Sequence, residues 1–489
     1  MSHVPHRIRL AGLLVLAMVM TASSDAQVKR KALPTGEYQG IFNNDPVKYH
    51  VEESHDNGHF DGVAEFLQGN EKGKRFGFHG VIEADGSLSL TRYTAGDKHV
   101  VQHAFPRLHG SKITYFGPIH SVGAGNQSQY IFSLQVPPAS LPGGRQKLLD
   151  VLDMAVKVGS GNTQHSLELL REILRENPND RRALTLQNVI LIYRRPDLAR
   201  EAEEAFARSV ANRPDDALLY SERAVLRASQ GKQKEAEEDL DRAKKLLRGG
   251  KQKRRPQAAL YHIYCAQVYA RLNQADKVTP EYDQALKLNP KLPDVYLARA
   301  DFKGSRGLKW VTMKQKVGKD REVTFARPEY DPEALREAAA EIEKGIKQLP
   351  GNIRLLHAAY INAMIQKDHD RVYQTARTLS TLPYCQPDHL ITLAYHQAAS
   401  PVANRRNGQA AIAHAMLAGA MESPPNSPFS RQILALAHAE AGNFDRAVRL
   451  MEELEKASDE MNLDKATLRK MLELFRAKKP YRFEPEKAK

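Results

Sequence analysis

Cysteine is scarce in this chain of 489 residues, since only Cys265 and Cys385 are present. They lie 120 positions apart, in or beside helical patterns, which excludes the disulfide framework of small secreted domains. We expect both to be buried free thiols. Beyond the N-terminal segment, no stretch approaches the about 18 apolar residues that a membrane-spanning helix needs, so the mature chain is predicted to have no transmembrane segment.

Recognisable catalytic motifs are also missing. The sequence has no persuasive Gly-x-Ser-x-Gly elbow, no cysteine with a dedicated histidine and no paired carboxylates in a cleft-forming context. The glycine-rich stretch from His120 to Tyr130 is not followed by a helix that could face a phosphate, so it is predicted to be a hairpin loop. We therefore expect no enzymatic activity and no cofactor.

The N-terminus has the pattern of a secretory signal peptide. Arg7 and Arg9 precede an apolar run from Leu10 to Met20, and small residues lead to Ala26. The run is too short to span a bilayer of roughly 30 Å as a helix, so we expect residues 1–26 to be cleaved. No cysteine follows shortly, which argues against a lipoprotein anchor. The expected protein is exported, periplasmic or secreted, from a bacterial source.

Charge is unevenly distributed along the chain. The overall composition, 42% apolar and 27% charged, is that of a folded protein, and the length is too great for one core. Of the net charge of +14, the first 26 residues carry +1, and residues 27–137 have eleven basic and eleven acidic side chains. The remaining +13 falls on residues 138–489, which favours an acidic protein or peptide partner.

Residues 27–137 alternate apolar and polar side chains in short runs. Aromatic and β-branched residues are frequent, and turn sequences interrupt the runs at 56–58 and 84–86. This pattern predicts about eight antiparallel strands in a meander that forms a sandwich or a small barrel. The pattern resembles the up-and-down barrels of the lipocalin and avidin type. A Pro/Gly-rich linker is predicted at 138–146, and helical patterns follow.

The helical part repeats itself. The segments 217–248 and 259–290 align without a gap, with Gly231 over Asn273 at the turn between two helices. Between residues 289 and 294 an Asn-Pro stop and a Pro-Asp start leave almost no connection, which places successive helices side by side. Each unit is therefore predicted to be a helix hairpin that stacks on the next.

A copy near the C-terminus has small and large residues at the signature places of a known family. In the stretch LALAHAEAGNFDRAVRLMEELEKA these are Ala435, Gly442, Phe444, Ala447 and Leu454. The stretch resembles the tetratricopeptide repeat, and weaker copies extend the resemblance over roughly residues 145–461. The resemblance implies an α-α superhelical solenoid of about eight helix pairs at 147–461, followed by a capping helix and basic tail at 462–489.

The family resemblance also implies a concave binding groove on the first helices. The Lys and Asn clamp with which some family members hold a partner's C-terminal carboxylate is absent. The expected groove suits a helix or an extended peptide. Its expected lining positions are Ser221, Val225, Ile263, Gln267, Leu297 and Asp301.

One repeat contains an insertion near residues 308–330. The alanine expected in the second helix of this repeat is Ala338, which comes some 26 positions later than the repeat spacing predicts. Two runs that alternate apolar and polar residues flank residues 318–320. The insertion is predicted to be a β-hairpin. It holds Trp310, the only tryptophan, with Lys314, Lys316 and Arg321. Two roles are open, a partner-binding patch or an anchor in which Trp310 pins the hairpin to the helices.

Two further patterns, a basic run and a group of histidines, resemble binding sites. The run from Arg242 to Gln257 has eight basic residues and no acidic one, and we interpret it as a solvated loop because an exported protein rarely meets nucleic acid. His50, His55 and His59 lie near acidic residues but lack the close paired spacing of a structural zinc site, so no metal site is predicted. The other histidines of this region also lack the close paired spacing of zinc ligands; they are His79, His99, His103, His109 and His120.

The sequence thus predicts a non-enzymatic, exported scaffold with an N-terminal antiparallel β domain and a tetratricopeptide-like solenoid. The alternative is a β domain that binds a small molecule or a metal, with the solenoid as its docking arm.

Overall fold

The computed structural model describes residues 32–484 except for short internal segments. The segments outside the description are 43–44, 56–58, 70, 84–86, 95–96, 110–111, 123–129, 138–140, 142–143, 158–162, 249–254, 318–320, 383–384, 423–426 and 459–462. The predicted signal peptide, the turns at 56–58 and 84–86 and most of the glycine-rich stretch after His120 therefore lie outside the described residues.

Eight strands follow one another around a closed antiparallel barrel, in which the last strand pairs with the first. They are β1 (Gly36–Phe42), β2 (Asp45–Ser54), β3 (His59–Phe66), β4 (Arg75–Ile82), β5 (Leu88–Thr94), β6 (Asp97–His109), β7 (Lys112–Val122) and β8 (Tyr130–Val136). Of the two architectures that the alternating pattern allowed, the sandwich and the barrel, the chain forms the barrel.

Aromatic rings are packed together in the described part of the barrel interior. Tyr49 is fully buried and stands edge-on to Phe78 and Phe132, with ring centroids 5.7 and 6.0 Å away. Its hydroxyl donates a hydrogen bond of 3.1 Å to the carbonyl oxygen of Ile41. Because inward-facing residues alternate with outward-facing ones along each strand, the polar residues of β2, β3 and β4 lie on the outer surface.

A glycine allows the closure of the barrel. At Gly40 of β1, a Cβ atom would lie only 1.9 Å from the carbonyl oxygen of Ser133 in β8. The two strands pair here from Gln39 opposite Gln135 to Phe42 opposite Phe132. A larger residue at this position would have to push the two closing strands apart.

Seventeen helices and a second, two-stranded sheet are described after the barrel. The helices are α1 (Gly144–Lys157), α2 (Thr163–Glu176), α3 (Arg181–Tyr193), α4 (Ala199–Asn212), α5 (Ala217–Ser229), α6 (Gln233–Arg248), α7 (Arg255–Arg271), α8 (Ala275–Leu288), α9 (Pro293–Ser305), α10 (Pro332–Gln348), α11 (Ile353–Gln366), α12 (His369–Ser380), α13 (Pro387–Ala399), α14 (Gly408–Met421), α15 (Pro428–Glu440), α16 (Phe444–Lys456) and α17 (Lys465–Arg476). Short 3₁₀ turns occur at Pro196–Leu198 and Ala403–Arg405.

In chain order these helices form eight successive pairs and one final helix. The predicted fold class, an antiparallel β domain followed by tetratricopeptide-like repeats of the solenoid type, is confirmed. Connections between pairs are short, and in several of them a polar residue caps the start of the next helix. Asp216 accepts a hydrogen bond from the Leu218 amide, and Asn352 accepts bonds from the amides of Arg354 and Leu355.

From α4 onward, the second helix of each pair buries three residues at positions i, i+4 and i+7. This spacing places the three residues on one face of the helix. Each set includes at least one small residue, which lets helices approach closely. The sets are Ala202, Phe206 and Ser209; Ala236, Leu240 and Ala243; Val278, Tyr282 and Ala285; Ala338, Ile342 and Gly345; Val372, Ala376 and Leu379; Ala411, Ala415 and Ala418; and Ala447, Met451 and Leu454.

The inserted hairpin consists of β9 (Lys309–Val317) and β10 (Arg321–Glu329). These strands pair in antiparallel register, with Trp310 opposite Pro328, and their tip at 318–320 lies outside the described residues. The hairpin begins after Gly307, whose φ of +74° is a conformation that glycine adopts without strain. It therefore separates α9 from α10 within one helix pair.

Two sequence-based boundaries need correction. Helix α1 begins at Gly144, inside the predicted linker 138–146. The basic run from Arg242 to Gln257, expected to be a loop, is helical up to Arg248 and again from Arg255. Lysine and arginine are good helix formers and suit the negative end of the helix dipole, so α6 continues through the basic residues.

The chain divides into two compact units. One contains the barrel, α1, the start of α2 and the helices from Val372 onward, and in it α1 lies against β6 while α14 lies against β7 and β8. The other, Leu167–Arg371, contains the hairpin and the repeats from α3 to α11. Within the described part of the chain, no helix combines the length and apolar composition required to cross a membrane.

A substitution at Gly345 of α10 tests whether this helix packs closely against α9 and α11. A Cβ atom there would lie 2.8 Å from Leu355 Cδ2 and 3.0 Å from Tyr296 Cβ, so Gly345→Val must displace α9 or α11. We expect it to lower the free energy of unfolding by about 1–3 kcal/mol, measured by urea denaturation followed by circular dichroism. The matched control is Gly351→Val, because a Cβ at Gly351 meets no atom within 4 Å. Equal effects of the two variants would contradict the tight crossing.

Candidate functional site

The side chains expected to line the groove are mostly buried. Four of the six, Ser221, Val225, Ile263 and Leu297, are at most 1% exposed. The Ser221 hydroxyl donates to the carbonyl oxygen of Ala217 in its own helix. The reason is that α5 is packed against both α6 and α7, so nearly all its residues are internal. The contact of these positions with a partner stays a prediction, but in this structure they do not form an open wall.

The remaining two members of the set, Gln267 and Asp301, are slightly more accessible and lie near Tyr193 of another repeat. Gln267 of α7 accepts a hydrogen bond of 2.8 Å from the hydroxyl of Tyr193 in α3. The guanidinium of Arg271, one turn further along α7, stands 5.3 Å from the centroid of the Tyr193 ring. Burial raises the pKa of the Tyr193 hydroxyl, and the nearby Asp301 acts in the same direction. This polar cluster lies at the C-terminal ends of α3 and α7.

An apolar pocket with an empty volume of about 440 Å³ lies between α9, α10 and α11. Its wall includes Asp301, the last of the six predicted groove residues. The other lining residues are Ala300, Gly304, Ser305, Leu308, Tyr330, Leu335, Ala338, Ile342, Ala358, Ile361, Asn362 and Ile365. This volume includes open solvent, so it describes a surface recess and not an enclosed ligand cavity.

Small residues and the insertion together shape this pocket. Gly304 of α9 faces Ala338 of α10 so closely that a Cβ at Gly304 would stand 3.3 Å from the alanine methyl. Leu308 and Tyr330 lie just before and after the hairpin strands, and both contribute to the wall. The hairpin insertion therefore supplies two apolar side chains that a regular repeat would not have there.

Polar atoms in the pocket wall have partners that hold them in place. The Asn362 side-chain amide donates a 3.2 Å hydrogen bond to the carbonyl oxygen of Leu335, which links α11 to α10. Burial raises the pKa of the Tyr330 hydroxyl, so it is a neutral donor over the physiological range. The site can accept an apolar group and offer hydrogen bonds at its rim.

A repeated contact between an acidic and a basic side chain joins the two helices of three consecutive repeats. Asp239, Glu281 and Glu341 each lie three positions after the first buried residue of the set in α6, α8 and α10. Each pairs with a basic side chain of the first helix. The pairs are Arg223 and Arg227 with Asp239, His262 with Glu281, and Lys303 with Glu341. Burial alone would raise the pKa of Glu341, but its lysine partners Lys303 and Lys344 lower it.

These acids could have been found from the sequence, whereas the pocket could not. Asp239 stands over Glu281 in the gap-free alignment of segments 217–248 and 259–290, and that correspondence was a usable signal. The pocket depends on where the insertion enters and leaves the helix pair, which no repeat alignment contains.

The hairpin tryptophan is exposed. Trp310 has 58% of its surface accessible, so the ring does not pin the hairpin to the helices, which was one of its two considered roles. Lys314, Lys316 and Arg321 lie on β9 and β10, but their side chains are outside the described part of the structure. Partner binding by these four residues stays a prediction.

A buried carboxyl group lies in the layer of first helices. Glu222 of α5 accepts a 3.1 Å hydrogen bond from the hydroxyl of Tyr264 in α7, next to Asn188 of α3. Burial raises the pKa of Glu222 to about 7, although the Tyr264 hydroxyl acts against the rise. Three successive first helices thus meet at one titratable group.

Comparison with solved structures finds tetratricopeptide repeat proteins. A tetratricopeptide repeat protein from Parabacteroides merdae is 13% identical over 68% of this chain and 98% of its own, with a TM-score of 0.26. Yeast Tom70 is 15% identical over 64% of this chain and 59% of its own, with a TM-score of 0.33. The tetratricopeptide repeat domain of P58(IPK) is 12% identical over 68% and 97%, with a TM-score of 0.20.

These similarities concern fold alone. No family model matches the chain, and no curated protein matches it. The tetratricopeptide-like character of the helical part rests on its own helix pairs and on the small residues where those helices cross.

The buried carboxyl group predicts a pH dependence of stability. Glu222 has a pKa of about 7 in the folded chain against an ordinary 4.5, so its contribution is complete below pH 4.5 and is lost as pH rises through 7. Relative to Glu222→Gln, which keeps an acceptor for Tyr264, the wild type should lose about 3 kcal/mol over this window. Urea denaturation at pH 4.5, 6 and 8 measures the difference, with exposed Glu238→Gln as control. A difference that does not change with pH would contradict the assigned environment.

Proposed function

We propose that this protein is a protein-binding scaffold whose helical repeats hold a segment of a partner. The observation that carries the proposal is the apolar pocket between α9, α10 and α11, which is open to solvent. Ile361 and Ile365 form one side of it and are only partly covered by the chain. A partner side chain inserted between them would be removed from water, which favours binding.

The proposed occupant is an apolar side chain of a peptide that also carries acidic residues. Exposed basic residues adjoin three wall residues in sequence, while the wall itself contains the acidic Asp301. Lys309 follows the wall residue Leu308, Arg327 lies three positions before Tyr330, and Lys367 lies two positions after Ile365. The excess of basic residues over 138–489 acts at longer range, so an acidic partner would be attracted before it docks.

The rival function, ligand binding by the β domain, finds no support in the barrel interior. The Tyr49 ring contacts the rings of Phe78 and Phe132 inside the barrel, where a lipocalin-type ligand would lie. In barrels of about eight strands, side chains can fill the interior. The proposed binding surface is therefore in the repeats, and the proposed role is non-enzymatic.

The pocket can be tested with a random peptide library. Displayed dodecapeptides selected on the immobilised full-length chain should share one large apolar residue flanked by acidic ones. Ile365→Glu should weaken their binding about 10- to 100-fold, measured by fluorescence anisotropy, because the loss of one buried apolar contact is worth about 1.5–3 kcal/mol. The matched control is Met364→Glu, because Met364 is the exposed neighbour on α11 and does not line the pocket.

Two results would contradict the proposed binding site. Peptides whose affinity falls equally with Ile365→Glu and Met364→Glu would show general electrostatic repulsion instead of insertion. Peptides that bind the Ile365→Glu variant as tightly as the wild type would place the binding surface elsewhere.

Export is a separate part of the proposal and is supported by the N-terminal sequence alone. Arg7 and Arg9 before the apolar run from Leu10 to Met20 fit a signal peptide. Mass spectrometry of the N-terminal peptide of protein isolated from its host should give a chain that begins near Gln27 and is found outside the cytoplasm. A chain that retains residues 1–26 in the cytoplasm would contradict export.

A further inference from the structure

The inserted hairpin has two outer strand edges that pair with no other strand in the described part of the chain. β9 and β10 form a sheet of two strands, and each packs chiefly against the other. Among the described residues, no hydrogen bond joins the backbone of either strand to the backbone of another element. A hairpin of two strands is only marginally stable in water. Each outer edge is therefore a place where a further strand can be added.

A proline determines which backbone groups point toward the outer edges. Pro328 of β10 stands opposite Trp310 of β9 and has no N–H to donate across the ladder. A proline fits within an edge strand where its nitrogen points away from the neighbouring strand. The pair of Trp310 with Pro328 is therefore of the non-hydrogen-bonded type, in which the backbone groups of both residues point outward.

The alternation of an antiparallel ladder extends this assignment along β9. Every second residue has the backbone orientation of Trp310, while the residues between them bond to β10. The residues whose N–H and C=O groups point outward are Trp310, Thr312, Lys314 and Lys316. We call this row of backbone groups the β9 edge.

The outer edge of β10 is less suited to a further strand. By the same alternation, its outward backbone groups belong to Glu322, Thr324, Ala326 and Pro328. The proline supplies no N–H to an added strand, and proline on an edge strand is one of the devices that prevent edge-to-edge association. β9 contains no proline, so its row of donors is unbroken.

The charge of β9 favours an acidic strand over a second copy of this chain. In its sequence, KWVTMKQKV, three residues are lysine and none is acidic. Two β9 strands placed side by side would bring the lysines of both copies together, which is destabilising, whereas opposite charges in cross-strand positions are stabilising. Charge complementarity therefore selects a partner strand that carries glutamate or aspartate.

Exposed apolar side chains lie along the described half of β9. Trp310 is 58% exposed and Met313 is 39% exposed. The two residues are an odd number of positions apart in a strand, so they lie on opposite faces of the hairpin. A strand laid along β9 would remove part of each side chain from water, which favours binding.

We propose that the β9 edge binds an extended segment of a partner protein as a third strand, and that this segment alternates acidic with apolar residues. In this mode of recognition main-chain hydrogen bonds supply affinity, and alternate side chains supply selectivity. The acidic residues of the segment lie on the face of residues 310, 312, 314 and 316, and the apolar residues lie on the face of Met313. The β9 edge is independent of the pocket between α9, α10 and α11, so either can fail without the other.

Tryptophan fluorescence of the full-length chain tests the β9 edge, because Trp310 is the only tryptophan. The probe is a synthetic peptide of the same length as β9 that alternates glutamate with valine. A second peptide alternates lysine with valine. The glutamate peptide should bind and shift the emission of Trp310 to shorter wavelength, because the added strand covers the ring. The lysine peptide should not bind.

Proline substitution distinguishes the two edges of the hairpin. Thr312→Pro removes an outward N–H from β9 and should weaken binding of the glutamate peptide about 10-fold or more, because one new hydrogen bond is lost and the ring obstructs the added strand. The matched control is Thr324→Pro, since Thr324 is also exposed and has the same backbone orientation on β10. The control should change affinity less than about twofold, because both prolines leave the bonds between β9 and β10 in place.

Charge reversal is a second test that keeps every backbone group. Lys314→Glu combined with Lys316→Glu should exchange the preference, so that the lysine peptide binds and the glutamate peptide does not. The proposal is overturned if the glutamate peptide does not bind the wild-type chain, if the two proline variants lose equal affinity, or if the charge-reversed variant still prefers glutamate. Self-association in sedimentation experiments that Thr312→Pro abolishes would also overturn it, because a second copy would then occupy the edge.

Discussion

Close approach between helices at small residues is the constraint on which the helical part depends. Gly345 shows it most directly, because a single added carbon would meet side chains of both α9 and α11. Buried alanines at equivalent positions of other repeats, such as Ala243 and Ala285, also let neighbouring helices approach closely. Neither helix of a pair could bury its apolar face alone, so small residues at the crossings convert a series of marginal hairpins into a stack with a continuous core.

The insertion changes this regular arrangement at one place only. By entering after Gly307 and leaving before Asp331, the hairpin adds Leu308 and Tyr330 to the rim of the space between α9 and α11. The buried pair of Lys303 with Glu341 keeps α9 and α10 together in spite of the inserted residues. This ion pair thus connects the helices on the two sides of the insertion.

Much of the fold could be predicted because its determinants are local. The Asn-Pro and Pro-Asp signals at 289–294 place the end of α8 and the start of α9 within one or two residues. The site was less accessible to sequence reasoning. Val225 and Leu297 match inner-face positions of the family, yet they are buried, because neighbouring helices cover these positions. The pairing of Trp310 with Pro328 depends on strand register, which the alternating pattern of each strand alone does not specify.

The central claim is that partner segments dock in the pocket between α9, α10 and α11. Its most direct test is a photo-crosslinking amino acid in place of Ile361, introduced into the full-length chain in its native host. We expect one recurrent protein adduct, joined through an apolar residue in an acidic segment. A crosslinker in place of Phe429, an exposed residue of α15, should not give this adduct. The same adduct from both positions, or none from Ile361, would contradict the account.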